Sequence, residues 1–471
     1  MTELPPAAAV SGGPEALTSE LIERRLAAAR GEPHAVPGEW LSIDVDAPVA
    51  AADALLSHFP EHDVVLWSPA RGPEYAGVGV AAVLDGTGAS RFEEVRARAQ
   101  ALWARSRGLS APPGDELGPR LFGGFSFNAG GASTPAWEQF GPARFVLPRV
   151  LYAQDGQRAQ LSLLVQRSEL ASGAVPEHVR TAQRVLDVLG ERQKGAAPAH
   201  ASEPLERNAI SREAFRAHVE DLVESIRAGR LRKVVAAQEL RLSFERALDA
   251  VETAIALRDE APGCTRFLFR FGDSSFVGAT PETLLGKRGL ALSTEALAGS
   301  IGVGAERPEV RLQGSSKELE EHRFVVASIR AALEPLCTEC SLPDAPEIRR
   351  LKHLLHLRTP ISARLRRPTH VLELIERLHP TPAVGGVPTP EAVAWIASHE
   401  PFDRGWYAGA VGWFDAAGDG DFNVALRSGL LAGRHARLYA GAGIVGASVP
   451  DDEYEETNLK LVALLAALRS R

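Results

Sequence analysis

Short apolar runs, separated by polar and glycine-rich stretches, predict strands at 40–45, 64–68, 77–84, 145–152 and 159–166. Between them, Phe92, Val95, Ala99 and Leu102 recur at helical spacing and predict a helix over 91–107, and a shorter amphipathic helix fits 17–30. In Leu121-Phe122-Gly123-Gly124-Phe125-Ser126-Phe127, aromatics alternate around a glycine pair, as in a strand whose backbone lies close to another element. Residues 1–15 are rich in Ala, Pro and Gly and are expected to be disordered. A second aperiodic stretch, 191–206, divides the chain into an N-terminal half (16–205) and a C-terminal region (206–471).

The C-terminal region is more sharply punctuated. Ser211 caps a helix with an apolar stripe of Phe215, Val219, Leu222, Val223 and Ile226; Gly229 ends it, and Lys233-Val234-Val235 opens a β-rich segment. Strands at 266–271 and 275–280 turn through Gly272-Asp273 and deliver Thr280-Pro281-Glu282 to a strand end. A helix over 316–336 turns Leu319, His322, Val326, Ile329, Leu333 and Leu336 to the core, flanked by Glu318 and Glu321. The leucines inside the basic run 349–367 predict a helix with a solvated face. A hairpin joins 411–414 to 422–426, and alternation along its second strand sets Arg427 on the face opposite the apolar one. In the strand 437–445, Gly441 permits close backbone approach. The closing helix stacks Glu453, Glu456 and Lys460 on one face.

Composition narrows the classes. With 45% hydrophobic and 24% charged residues the chain is of ordinary soluble type, and its net charge of −8 argues against general nucleic-acid binding. Three cysteines build no disulfide framework and suit a reducing compartment. No secretory signal or membrane-length apolar run is present in the sequence. The expectation is a cytoplasmic monomer with a small-molecule substrate and neither nucleic-acid nor membrane partners.

Three patterns carry plain structural readings. Cys337-x-x-Cys340 has no partner pair for a zinc site. The G-x-G-x-x-G run from Gly441 to Gly446 has no βαβ unit after it. Asp415, Asp419 and Asp421 lack the terminal glutamate of a calcium loop and read as a hairpin turn.

The chemistry concentrates elsewhere. Two helices each carry a Glu-x-x-Glu pair near the first turn, Glu318/Glu321 and Glu453/Glu456; facing each other, they would suit Mg²⁺. Lys233 reads either as a snorkelling side chain or as a desolvated amine able to accept a proton. Glu282 reads either as a turn-stabilising residue or as a buried acid kept protonated. Arg427, Tyr407, a glycine amide and Lys460 would make a carboxylate clamp, so the ligand should be a small polyanion.

Taken in order, several motifs resemble the chorismate-utilising enzymes, and within them the isochorismate synthases. They are Lys233-Val234-Val235, Gly278-Ala279-Thr280-Pro281-Glu282, Glu295-Ala296-Leu297-Ala298-Gly299 and Glu321-His322. They continue through His356-Leu357, the run from Leu378 to Gly386, and Arg404-Gly405-Trp406-Tyr407-Ala408-Gly409, to Ala425-Leu426-Arg427-Ser428, the run from Ala440 to Val445, and Glu456-Thr457 with Lys460. The resemblance is dense over about the last 260 residues. It implies an α+β fold with large, mainly antiparallel sheets packed face to face and helices outside, like that of anthranilate and aminodeoxychorismate synthases. It further implies Mg²⁺-dependent conversion of chorismate to isochorismate, water attacking C2 as the C4 hydroxyl leaves. By the same resemblance, Lys233 is the general base and Glu282 the general acid. Glu321 and Glu456 are metal ligands, with Glu318 and Glu453 acting through water. Tyr407, Arg427, Gly441 and Lys460 hold the ring carboxylate, and Gly299, Ser300 and His356 line the pocket. Ala383, where salicylate-forming and aminating relatives resemble Thr, points to the isochorismate branch. Two departures stand out: Gln238 where the family usually has Arg, and 301–304 in place of a more basic loop. A salicylate- or amine-forming relative, or a non-catalytic paralogue, are the alternatives.

Overall fold

The computed structural model describes residues 14–30, 38–107, 109, 116–130, 134–172, 175–191 and 203–469. Its strands form one continuous network in which every pairing but one is antiparallel; the exception joins Trp40–Asp46 to the short strand Ser106–Arg107. From one end the ladder runs through Leu354–Leu365, Ala291–Gly302, Thr283–Arg288, Gly420–Val424, Ala410–Phe414, Leu121–Phe125 and Ala143–Gln154. It continues through Glu74–Gly86, Val64–Ser68, Thr265–Phe271, Ser274–Thr280, Ser428–Ala432 and His435–Ile444, to Lys233–Ser243. Strands of 40–166 and of the C-terminal region are therefore hydrogen-bonded directly to one another.

The ladder folds over, so that its two ends face each other across a shared core. Period-two alternation makes this possible: Phe267, Phe269 and Phe271 point into an aromatic-rich interior with Trp137, Phe276 and Trp406, while Leu268 points to the opposite face. On that outer face Ala250–Glu260 and Pro450–Arg469 cover the sheet through Leu257, Leu461 and Leu464. The fold is thus an antiparallel sheet packed on itself with helices outside. No described helix is long and apolar enough to cross a membrane.

Several boundaries differ from expectation. Residues 1–13 and most of the 191–206 stretch lie outside the described residues, and helix Pro14–Arg30 begins inside the segment expected to be irregular. The helix at Arg91 ends at Trp103. The basic run 349–367 is not a helix; it forms strands Glu347–Arg350 and Leu354–Leu365. Pro360 within the run cannot donate a helical hydrogen bond, and Leu357, Thr359 and Ile361 are buried alternately. In helix Ser316–Leu333 His322 is buried as expected, Val325 is fully buried where Val326 is only partly so, and Glu318 and Glu321 lie within the buried stripe instead of flanking it. The Gly441–Gly446 run begins inside the strand His435–Ile444, and Asp415 caps a tight turn by accepting from the amides of Ala417 and Asp419.

Candidate active site

The two folded-over ends of the sheet enclose a cavity. Lys233–Ser243 and His435–Ile444 supply Val235, Gly441 and Gly443 to one wall; Ala291–Gly302 and Leu354–Leu365 supply Leu297, Gly299 and His356 to the other. Glu282, Ser300, Glu321, Ala383, Tyr407, Arg427 and Lys460 are also part of the lining. Glu318 and Glu456 line an adjoining cavity that shares Ser300 with the first. Lys233 and Glu453 are buried behind these walls.

Lys233 is completely buried, with Nζ 2.9 Å from Glu321 Oε1. That separation is ion-pair distance, but the amine has no partner in hydrogen-bond geometry. Glu282 sits between Ser274–Thr280 and Thr283–Arg288, its amide donating to Thr280 Oγ1 (3.2 Å) and its carbonyl accepting from Val424 (3.1 Å). Burial pushes its carboxyl up to about 8, Glu295 adding to the effect and Lys233, Lys460 and Arg427 opposing it.

On the opposite wall the sequence builds a bulge. Ala298 pairs with Leu357 and Ser300 with His356, leaving Gly299 as an extra residue at φ +81°. A Cβ there would lie 3.2 Å from Glu318 Cβ and from Leu357 Cδ1, so glycine is required on two counts. The bulge turns the Ser300 amide to Glu318 Oε2 (2.8 Å) and its hydroxyl to His356 Nδ1 (3.0 Å). Burial first, then Arg427 and Lys460, hold His356 well below its usual range. The neutral ring accepts from Arg427 Nη2 at Nε2 (3.2 Å), which assigns its proton to Nδ1.

Arg427 reaches this position in a way alternation did not anticipate. It lies just beyond Gly420–Val424, at φ +50°, rather than on that strand's polar face. Ala408, at φ +60°, also lines the cavity. Two non-glycine residues held in the left-handed region at one site mark backbone strain maintained by surrounding structure. Tyr407 packs flat on Tyr439, with centroids 5.1 Å apart, and burial keeps its hydroxyl protonated. A Cβ on Gly441 would lie 3.1 Å from the Tyr407 hydroxyl and 2.9 Å from Val235 Cγ1.

The loop carrying Ala383 is docked onto the Lys233 strand by backbone bonds, Arg232 N to Val387 O (2.7 Å) and Val235 N to Gly385 O (2.8 Å). The buried Arg404 guanidinium ties both to the Tyr407 segment, donating to Val384 O and Val235 O while paired with Glu400.

The four metal-candidate carboxylates meet around lysines. Lys317 Nζ lies 2.6 Å from Glu453 and 3.1 Å from Glu318, and Glu456 and Glu321 also raise its ammonium's affinity for a proton. Lys460 Nζ donates to Glu456 Oε1 (2.6 Å) and to the Gly441 carbonyl (2.8 Å). Burial and neighbouring carboxylates push Glu318 and Glu453 up. In Glu456 burial acts upward too, but Lys460 and Lys317 outweigh it and hold the group low. Among the described residues, no three His, Cys, Asp or Glu side chains are arranged as a ready metal cage. The donor chemistry nonetheless fits a hard dication: all four carboxylates act on the one Lys317 ammonium, and carboxylate oxygens are the donors such an ion takes.

A family described as chorismate binding enzyme matches residues 39–469. The chain belongs to the chorismate-binding enzymes. It is 38% identical to the salicylate biosynthesis isochorismate synthase of Pseudomonas aeruginosa, over 83% of this chain and 82% of that protein. It is 36% identical to the isochorismate synthase MenF of Bacillus subtilis, over 75% of each. The solved structure of the menaquinone-specific isochorismate synthase MenF of Escherichia coli superimposes with a TM-score of 0.77 at 26% identity, over 96% of this chain and 99% of that one.

In this chorismate-binding enzyme, several site residues escaped sequence reading. Lys317, in the first turn of Ser316–Leu333, was not singled out. His322, read as core, joins the helix to the wall through Ala298 O (3.1 Å) and Thr359 Oγ1 (2.8 Å). Gly443 shares Gly441's face two residues on, a spacing that signals it; a Cβ there would lie 2.0 Å from Glu321 Oε1 and 3.0 Å from Lys233 Cε. Gly443→Ala is therefore expected to lower kcat/KM about a hundredfold by displacing Glu321, with circular dichroism unchanged. The departure at Gln238 also has a place: its amide donates to Thr457 Oγ1 (2.6 Å), fixing the helix that bears Glu456.

Proposed function

We propose that this protein is an isochorismate synthase that converts chorismate to isochorismate. The observation that carries the reading is one cavity lined by a buried carboxyl pushed up to about 8 and a cationic clamp, with a fully buried amine behind its wall, 2.9 Å from the cavity-lining Glu321. The names of the relatives support it.

Arg427, Tyr407, Lys460 and Gly441 hold the ring carboxylate and so fix C2 and C4 of the ring. Lys233 takes a proton from the attacking water as its oxygen bonds to C2. The ring double bonds shift, the C4–O bond breaks, and Glu282 gives its proton to the departing hydroxyl, which leaves as water. Glu321 and Glu456 would hold Mg²⁺, with Glu318 and Glu453 reached through water. The ion would balance the substrate's second carboxylate.

Incubation with chorismate and Mg²⁺ in H₂¹⁸O is expected to yield a product with one ¹⁸O, identified by NMR. Pyruvate release or an ammonia-dependent product would assign a different branch, and absence of turnover a binding role. Dialysis against a chelator is expected to abolish turnover and Mg²⁺ to restore it, with Mn²⁺ binding followed in parallel by electron paramagnetic resonance. Full activity after chelation would remove the metal from the scheme.

A further inference from the structure

Beside Glu282 the sheet comes apart in an ordered way. The ladder between Thr283–Arg288 and Ala291–Gly302 pairs Gly286 with Ser293, Lys287 with Leu292 and Arg288 with Ala291, and goes no further. Two side chains take its place. Thr294 Oγ1 donates to Leu284 O (2.7 Å), and Glu295 Oε1 accepts the amide of Thr283 (3.0 Å), the residue immediately after Glu282. The strands are thus held splayed where the acid needs room. Glu295 is only 4% exposed and accepts two further donors, Arg349 Nη1 (3.0 Å) and Arg358 Nε, from strands Glu347–Arg350 and Leu354–Leu365.

A hydrogen-bond acceptor at this point needs no charge; an amide or a serine would serve. A buried carboxylate that recruits two arginines is a more elaborate solution, and it sets a fixed negative charge next to the acid. The other charged groups acting on Glu282 are Lys233 from its strand, Lys460 from the closing helix and Arg427, all cationic and all favouring loss of its proton. Glu295 is the counterweight to those three.

We propose that Glu295 is the positioning residue for Glu282: it holds the backbone beside the acid in place of a strand ladder and supplies the negative charge that keeps the acid protonated. This rests on Glu282 being the general acid. Arg349 and Arg358 moderate the charge, so the three residues together set the pH range of the enzyme.

The test is the alkaline limb of kcat/KM with chorismate in three variants. Glu295→Gln keeps an acceptor for Thr283 but removes the charge, and the limb is expected to move down by about one pH unit. Arg358→Gln exposes the Glu295 charge, and the limb is expected to move up. A purely structural role would lower kcat in both variants without moving the limb, and a limb that stays in place in both overturns the proposal. Should Glu295→Gln fail to fold, the direction in Arg358→Gln decides alone. Glu282→Gln separates the two readings: a limb that survives there sinks the assignment of the acid, and this proposal with it.

Discussion

Lys233→Ala is expected to lower kcat by about a thousandfold or more, while leaving chorismate binding measurable by calorimetry. The amine is fully buried, 2.9 Å from Glu321 and without a hydrogen-bond partner, so little but chemistry or charge balance accounts for it there. These two explanations separate. Removing one member of a buried ion pair leaves the other uncompensated, at a cost of about 3–5 kcal/mol in stability. If charge balance were the whole role, Lys233→Ala would lose thermal stability yet retain turnover in whatever fraction remains folded. If the amine takes the proton, the folded variant is inactive, and a small soluble amine partly restores turnover. Wild-type kcat in the folded variant would take Lys233 out of the mechanism.

Much of this site was legible because its residues sit on regular elements. Lys233 opens a strand after a glycine-terminated helix, and Glu453, Glu456 and Lys460 follow one helix face; both patterns survive in the structure. What escaped depends on departures from regularity. Arg427 was placed by alternation on a strand, but it lies beyond the strand's end in a left-handed conformation, with its guanidinium on His356. The Leu354–Leu365 strand was hidden by leucines at spacings that also suit a helix, although Pro360 argued against one. Lys317 could not be found from its own helix, because its importance comes from Glu453, far away in sequence and 2.6 Å away in space. The fold class followed from resemblance; the fold-over that brings the sheet's two ends together is a matter of long-range pairing, which local pattern does not encode.

Glu282→Gln is expected to reduce kcat by about 10²–10⁴-fold with little change in KM. Gln is close in size to Glu and uncharged, as the protonated acid is, so binding should persist while proton donation is lost. The wild-type pH profile gives the sign. In its proposed role as the acid Glu282 works only when protonated, and with its carboxyl held at about 8 it is protonated through neutrality and loses its proton as pH rises beyond that value. Turnover should therefore be sustained below pH 8 and fall by about tenfold per unit well above it. An ordinary glutamate would already be ionised at pH 7, so a profile that declines from pH 5 upward would mean that burial has not protected this group. In Glu282→Gln the residual activity should carry no alkaline limb near 8. A variant with near wild-type kcat and the same limb would assign the departing hydroxyl's proton to another donor. Of the groups around the cavity, Tyr407 is held too high and His356 too low to replace it with a limb at that pH.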